Sequence, residues 1–264
     1  MAAVPWERRK SRFEAVTPWE RRKSRPANRM WERRKSRFTI GFMVFGLLFL
    51  QPAWPDEARY LRAEQVDLTR LLAPPPAPGS AEDRRDLEAV LAAQRARTPD
   101  SAKAAQADAE VSVFRFADVI GPAFTAERLP RTAALFRQAS REASAVIQIA
   151  KRHWGRPRPF DVSDDVKPVA ELARNGAYPS GHAAFGQLAA ILLAEMVPEK
   201  RAELFARGRA YGENRVVAGL HYPTDVEAGR LAATAIAAAL LRDAEFSRDF
   251  AASRAEVRAA LGLD

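Results

Sequence analysis

From residue 56 to its end the chain is written largely in Ala, Leu, Arg and Glu, with apolar residues at helical spacing and few runs of β-branched residues. That periodicity predicts helices over 80–97, 101–120, 130–154, 183–196, 199–217 and 224–241. The first follows an extended proline-rich lead-in at Pro74-Pro75-Pro76, the second is stopped by Gly121-Pro122, and 130–154 carries a broad apolar face that includes Leu135, Ile147 and Ile149. Six helices with short connections and hardly any strand signal predict one all-α helical-bundle domain over 56–264. The Ala-rich run 231–241 is bracketed by Arg230 and Arg242 and is too short to span a bilayer, so it reads as a core helix.

Ahead of this domain lies a different kind of sequence. Residues 1–38 hold 13 Lys/Arg and 4 Asp/Glu, which accounts for the whole net charge of +9 and leaves the rest of the chain balanced. Trp-Glu-Arg-Arg-Lys-Ser-Arg occurs there three times, from Trp6, Trp19 and Trp31. The repeats are too close together for a solenoid. The apolar run that follows, within 39–55, has the length of a signal-peptide core and is short for a spanning helix. The expectation is an export signal, with Met30 as the working start and periplasmic or secreted localisation. An uncleaved inner-membrane anchor is the competing reading, and only then would the protein touch a membrane. A binder of nucleic acid or membrane surface acting through the basic repeats is the alternative of a different class. The balanced body argues against it, and no nucleic-acid partner is expected.

The chain has no cysteine and three histidines, His153, His182 and His221. A thiol nucleophile, a disulfide framework and a cysteine-ligated metal are excluded, and no metal or other cofactor is expected. Against that scarcity, Tyr178-Pro179-Ser180-Gly181-His182-Ala183 is informative. Pro179 extends the backbone at Tyr178, Ser180 can cap the helix that follows, and Gly181 lets a ligand approach the main chain. Such a loop offers unpaired N–H groups and the positive end of a helix dipole to an oxyanion, with His182 beside it for proton exchange. Taken alone, this is also what a helix cap followed by a packed histidine would look like.

Two further segments carry matching chemistry. One runs from Lys151 through Arg158-Pro159-Phe160; the other from Asn214-Arg215 through His221 to Asp225. Lys, six residues, Arg-Pro; then Pro-Ser-Gly-His; then Arg, five residues, His, three residues, Asp: this ordered pattern resembles the type 2 phosphatidic-acid phosphatase superfamily. Within it, the proline run, Arg156 to Phe160 and Gly176 to His182 are most similar to bacterial class A nonspecific acid phosphatases, over roughly 71–241. The resemblance implies a metal-independent phosphomonoesterase acting on small phosphate esters through a phosphohistidine. It makes His221 the nucleophile, Asp225 the carboxylate that fixes its tautomer, and His182 the general acid and base. Lys151, Arg158 and Arg215, with the Ser180 hydroxyl and the Gly181 N–H, would bind the phosphate. A lipid phosphate or diphosphate phosphatase is the runner-up, and a vanadium haloperoxidase, which shares the anion ligands, is third.

The pattern is departed from in three places. Asn214 stands where serine is usual and is expected to modify the phosphate pocket. Ala183 stands where threonine is frequent. Phe114 and Arg115 replace small residues and are expected to reshape the substrate mouth. His153 reads as structural, and Trp154 and Tyr178 as packing or pocket-wall residues. Related helical proteins self-associate, but no exposed apolar stripe in this sequence assigns a homo-oligomer interface.

Overall fold

Central to the fold is one helix that is apolar on every side and so must be surrounded. The computed structural model describes residues 58–263; the basic repeats, Met30 and the apolar run lie outside the described residues. The order is α1 (Leu68–Leu71), α2 (Ala81–Ala96), α3 (Pro99–Ala107), α4 (Ala117–Ile120), α5 (Pro130–Trp154), α6 (Pro159–Val162), α7 (Gly181–Met196), α8 (Arg201–Val217), α9 (Pro223–Leu240) and α10 (Ala244–Leu261), with short 3-10 turns between some of them. Among the described residues there is no strand, so the fold is all-α, as the periodicity predicts. No described helix is long and apolar enough to cross a membrane.

The surrounded helix is α7. Leu188, Leu192, Leu193 and Met196 are fully or almost fully buried, each large side chain contributing roughly 1.5–3 kcal/mol of transfer free energy. Its neighbours α8 and α9 come in at glycines. A Cβ on Gly208 would lie 2.6 Å from the Gly186 carbonyl oxygen, and one on Gly229 would lie 2.4 Å from the Ser180 oxygen and 3.0 Å from Ala183 Cβ. Ala183 is itself fully buried between these helices. Its small side chain is what the close approach of α8 and α9 accommodates.

α5 lies alongside, presenting Leu135, Phe136, Ala139, Ala143, Val146, Ile147 and Ala150 to the core at three- and four-residue spacing. It stops at Gly155 in a left-handed cap (φ 56°), which places Lys151 in its last turn.

Two expectations are corrected. The helix predicted over 101–120 is broken: α3 ends at Ala107, and the chain passes through a 3-10 turn at Val113–Phe116 before α4. The cause is Asp108, a buried carboxylate that caps α3 and is held by Arg207, Asn214 and Arg115, which pins the backbone away from a continuous helix. Beyond residue 241, where the sequence reading assigns no helix, α10 begins at its cap Asp243 and ends at Gly262 (φ 66°). Its many charges mask a narrow stripe; Phe246 and Val257 are buried, with Phe250 packed beside them.

Gly229→Ala is expected to destabilise the fold by about 1–3 kcal/mol through overpacking against helix backbone, read as a lower urea midpoint. Gly181→Ala, whose Cβ would meet nothing nearer than Ile147 Cγ2 at 3.9 Å, is expected to leave the midpoint within about 0.5 kcal/mol of wild type. Equal midpoints for the two variants would refute the close-packing account.

Candidate active site

A cavity of about 400 Å³ opens where α5, α7, α8 and the turn before α9 meet, and Lys151, Arg158, Gly181, His182, Arg215 and His221 all line it. The structure thus brings six of the eight sequence-predicted residues to one space. The other two sit one layer back. Ser180 is fully buried as the N-cap of α7, its Oγ accepting from the Ala183 N–H at 3.3 Å. Asp225 is fully buried behind His221. Ser180 is expected from sequence to offer its hydroxyl to phosphate; it is not among the lining residues, and the cap is the contact its side chain makes.

The three segments are tied together by main-chain bonds. The Ser180 N–H donates to the Asp225 carbonyl at 2.9 Å, and the Ala177 N–H to the Arg156 carbonyl at 2.8 Å. Gly219, at φ 75°, makes the left-handed turn after α8 that returns the chain to Leu220 and His221.

Partners decide the state of His221. Arg158 Nη1 lies 3.1 Å from its Nε2, and a guanidinium can only donate, so Nε2 carries the lone pair. Nδ1 then bears the proton and donates to Asp225 Oδ2 at 3.2 Å. Burial, reinforced by Lys151 and Arg158, holds the imidazole pKa well below its ordinary value, so the ring is neutral. Asp225 also accepts from the Tyr222 N–H at 2.9 Å and from Arg156 Nη1 at 2.7 Å. Burial pushes its pKa up and Arg156 opposes that shift; the set of donors around it is that of a carboxylate. His182 Nε2 donates to the Ala109 carbonyl at 3.1 Å. Burial, then Arg215, lowers its pKa to about 4.

The buried and half-buried cations fall into two sets. Arg156 and Arg207 are neutralised by carboxylates, Asp86 with Asp225 and Asp108 with Asp118 respectively. Lys151, Arg158 and Arg215 make no ion pair among the described residues. Lys151 donates to the Gly176 and Ala177 carbonyls. Arg158 donates to the carbonyls of Asn175 (2.9 Å) and Leu220 (2.8 Å) and to Asn175 Oδ1 (2.7 Å). Arg215 donates to the Ala105 carbonyl, and its Nε is buried without a partner among the described residues. Carbonyls aim these cations without cancelling their charge, and the mutual repulsion appears in Lys151, whose pKa falls to about 7 through burial and the nearby Arg158. Such a site is built for an anion with several oxygens. Among the described residues no three His, Asp or Glu side chains gather as metal ligands.

Several residues stand elsewhere than the sequence reading puts them. Asn214 does not reach the cavity; its Nδ2 donates to Asp108 at 2.8 Å. Arg115 also turns to Asp108, and Phe114 packs on Phe124, so neither shapes the mouth, which Val111 does. By contrast, His153, Trp154 and Tyr178 pack as the sequence reading has them: His153 and Trp154 are ring neighbours, as are Trp154 and Tyr178, and the Tyr178 hydroxyl donates to the Ala73 carbonyl. Arg156 and Asn175 are site residues that sequence reasoning passed over. Arg156 is visible in the Arg-Pro-Arg-Pro run but carries no local sign of its partners, and Asn175 carries no signal at all.

Comparison with known proteins places this architecture. Residues 135–249 match the PAP2 superfamily. An acid phosphatase of Zymomonas mobilis is 34% identical over 197 residues, covering 72% of this chain and 75% of that protein. A non-specific acid phosphatase of Salmonella typhimurium is 33% identical over 206 residues, 74% and 81% of the two chains. The solved structure of a bacterial vanadium-dependent iodoperoxidase aligns with a TM-score of 0.48 at 17% identity, over 65% of this chain and 52% of that one. The chain belongs to the PAP2 superfamily. Within that superfamily it is like the bacterial non-specific acid phosphatases.

Lys151→Met is expected to weaken inorganic phosphate binding by about 10–100-fold, the loss of one charge-assisted contact. Because Lys151 is charged below its pKa of about 7, that penalty is full in acid and shrinks as the pH rises past neutrality. Calorimetric titration of both proteins across that range checks it; a penalty that does not change with pH contradicts the assignment.

Proposed function

We propose that the chain is an exported acid phosphatase that hydrolyses small phosphate monoesters through a phosphohistidine at His221, without a metal ion. The reading is carried by the three buried cations that have no ion-pair partner among the described residues, Lys151, Arg158 and Arg215, converging on the cavity that His221 and His182 line. In phosphoryl transfer the negative charge spreads over the equatorial oxygens, and catalysis is mainly positioning and electrostatic stabilisation. Lys151, Arg158, Arg215 and the Gly181 N–H supply what a metal ion supplies in other phosphatases. Export rests on the basic and apolar segments ahead of residue 56.

His221 Nε2 attacks phosphorus, the P–O bond to the alcohol breaks, and the electron pair leaves on the alkoxide oxygen. His182 protonates that oxygen. Water then attacks the phosphohistidine while His182 takes its proton; the N–P bond breaks, its electrons return to Nε2, and inorganic phosphate departs. Asp225 keeps the Nδ1 proton in place and stabilises the positive charge that the ring acquires on phosphorylation. Ser180 contributes through its cap, which orients the first N–H groups of α7.

The proton chemistry favours acid conditions. His182 is depressed by burial and by the same cations that bind phosphate, so negative charge on the ester raises its proton affinity. An ester arriving as the monoanion, the main form below about pH 6, brings the proton as well.

Hydrolysis of p-nitrophenyl phosphate is expected to be unaffected by EDTA and faster below about pH 6 than at neutrality. Turnover should fall at least about 10³-fold in His221→Ala. Rapid quench in alkali should recover phosphate on His221; label elsewhere, or loss of activity on chelation, would overturn the mechanism.

One observation favours a second reading. Val111 and Leu172, at the cavity mouth, are 51% and 53% exposed, and Ala143, Ile147, Phe185 and Leu188 line the cavity within. Apolar surface at both depths suits an alcohol portion that is itself apolar, as in a lipid phosphate. A kcat/KM for phosphatidic acid in detergent above that for p-nitrophenyl phosphate would establish this second reading over the first.

A further inference from the structure

α2 docks in an unusual way. Its fully buried residues are Asp86 and Val90, with Leu87 and Leu91 packed partly buried beside Val90, so a carboxylate is hidden at its contact, which is costly unless it is paired. The partner is Arg156, 5% exposed, whose Nη2 donates to Asp86 Oδ2 at 2.8 Å and to Asp83 at 3.3 Å. The other prong, Nη1, donates to Asp225 Oδ1 at 2.7 Å and to Thr224 Oγ1 at 2.8 Å. The guanidinium also lies over the Tyr222 ring, 4.0 Å from its centroid. Thr224 closes the circuit by donating its N–H and hydroxyl to Asp86. None of these side chains lines the cavity.

We propose that Arg156, tethered by Asp86 of α2, is a positioning residue that fixes the Asp225 carboxylate and, through it, His221 for attack on phosphorus. The inference rests on the phosphohistidine reading above. The Asp225 oxygen that Arg156 holds is not the one that faces His221 Nδ1 and the Tyr222 N–H. One prong therefore sets the plane of the carboxylate and leaves the second oxygen free to orient the imidazole. The fork matters as much as the charge, because two carboxylates on different helices are bridged at once.

The charged and titratable groups around Asp225 are Arg156, Lys151 and Arg158, the carboxylates Asp83 and Asp86, His221, and the phenols Tyr178 and Tyr222. Arg156 is the cation in direct contact. Without it, burial dominates and Asp225 takes up a proton at a higher pH, so activity that needs the carboxylate is lost sooner on acidification. Removing the negative charge of Asp86 acts in the opposite sense.

The experiment is the pH dependence of kcat and KM for p-nitrophenyl phosphate in the full chain. Arg156→Met is expected to lower kcat about 10–100-fold, leave KM unchanged and move the acid limb up by about one pH unit or more. Asp86→Asn should move that limb down with a smaller loss of kcat. Arg156→Lys should restore the limb but only part of kcat. A folded Arg156→Met with the wild-type acid limb overturns the proposal. If that variant does not fold, Asp86→Asn and Arg156→Lys decide, and profiles superimposing on wild type overturn it equally. Wild-type protein that forms no phosphoenzyme at His221 defeats the underlying reading instead, whereas a phosphoenzyme with unmoved limbs defeats this inference alone.

Discussion

Everything at the centre of this molecule hangs on a carboxylate that water cannot reach. Asp225 is 0% exposed, and a charge in that position survives only if its oxygens are bonded to donors. The chain meets that requirement with Arg156 from a distant segment ahead of α6 and with two groups of its own turn, the Tyr222 N–H and His221 Nδ1. The Asp225 backbone carbonyl adds another link by accepting from the Ser180 N–H, which joins the loop that opens α7. The bonds that stabilise the buried charge are thus the same bonds that assemble the site.

That assembly also needs helices closer together than ordinary side chains permit. Gly229 against Ser180, and Gly208 against Gly186, let α9 and α8 approach the backbone of α7. His182 rides on the first turn of α7, Arg215 on α8, and His221 on the turn between α8 and α9. The separation of the two helices from α7 is therefore also the separation of these cavity-lining groups. Packing and the geometry of the cavity share one constraint, which is why glycines outside the cavity matter to it.

The sequence displayed the site more fully than it displayed the support of the site. Lys151, Arg158, Arg215, His182 and His221 fall in short ordered motifs, and helical periodicity delivers the elements that carry them. What stayed illegible are contacts between residues distant in sequence whose local context is ordinary. Asp86 meets Arg156 across 70 residues, and Asp108 meets Asn214 across 106. Asn214 reads as a change to the phosphate pocket and Arg115 as a change to the substrate mouth; both instead turn to Asp108, whose burial also breaks the helix predicted through it. α10 was hidden by its charge, since a narrow apolar stripe in a charged segment is a weak signal until its partner α5 is known.

The division of the buried cations explains how one small region can be both stable and reactive. Arg156 and Arg207 are spent on carboxylates; the charge of each is cancelled and the pair becomes a strut. Lys151, Arg158 and Arg215 are held by carbonyl and amide oxygens, which fix direction but leave net positive charge in a poorly solvated space. The strain of that arrangement falls on the groups that can titrate, Lys151 and His182, both displaced toward their neutral forms. An anion of the right size would relieve it, so the electrostatic cost of building the pocket would be recovered as affinity for such an anion. In the proposed mechanism the same anion restores the proton affinity of His182 at the point where a leaving group needs a proton. Anion binding and the proposed proton donation are therefore two readings of one charge imbalance, and the struts are what keep that imbalance from collapsing.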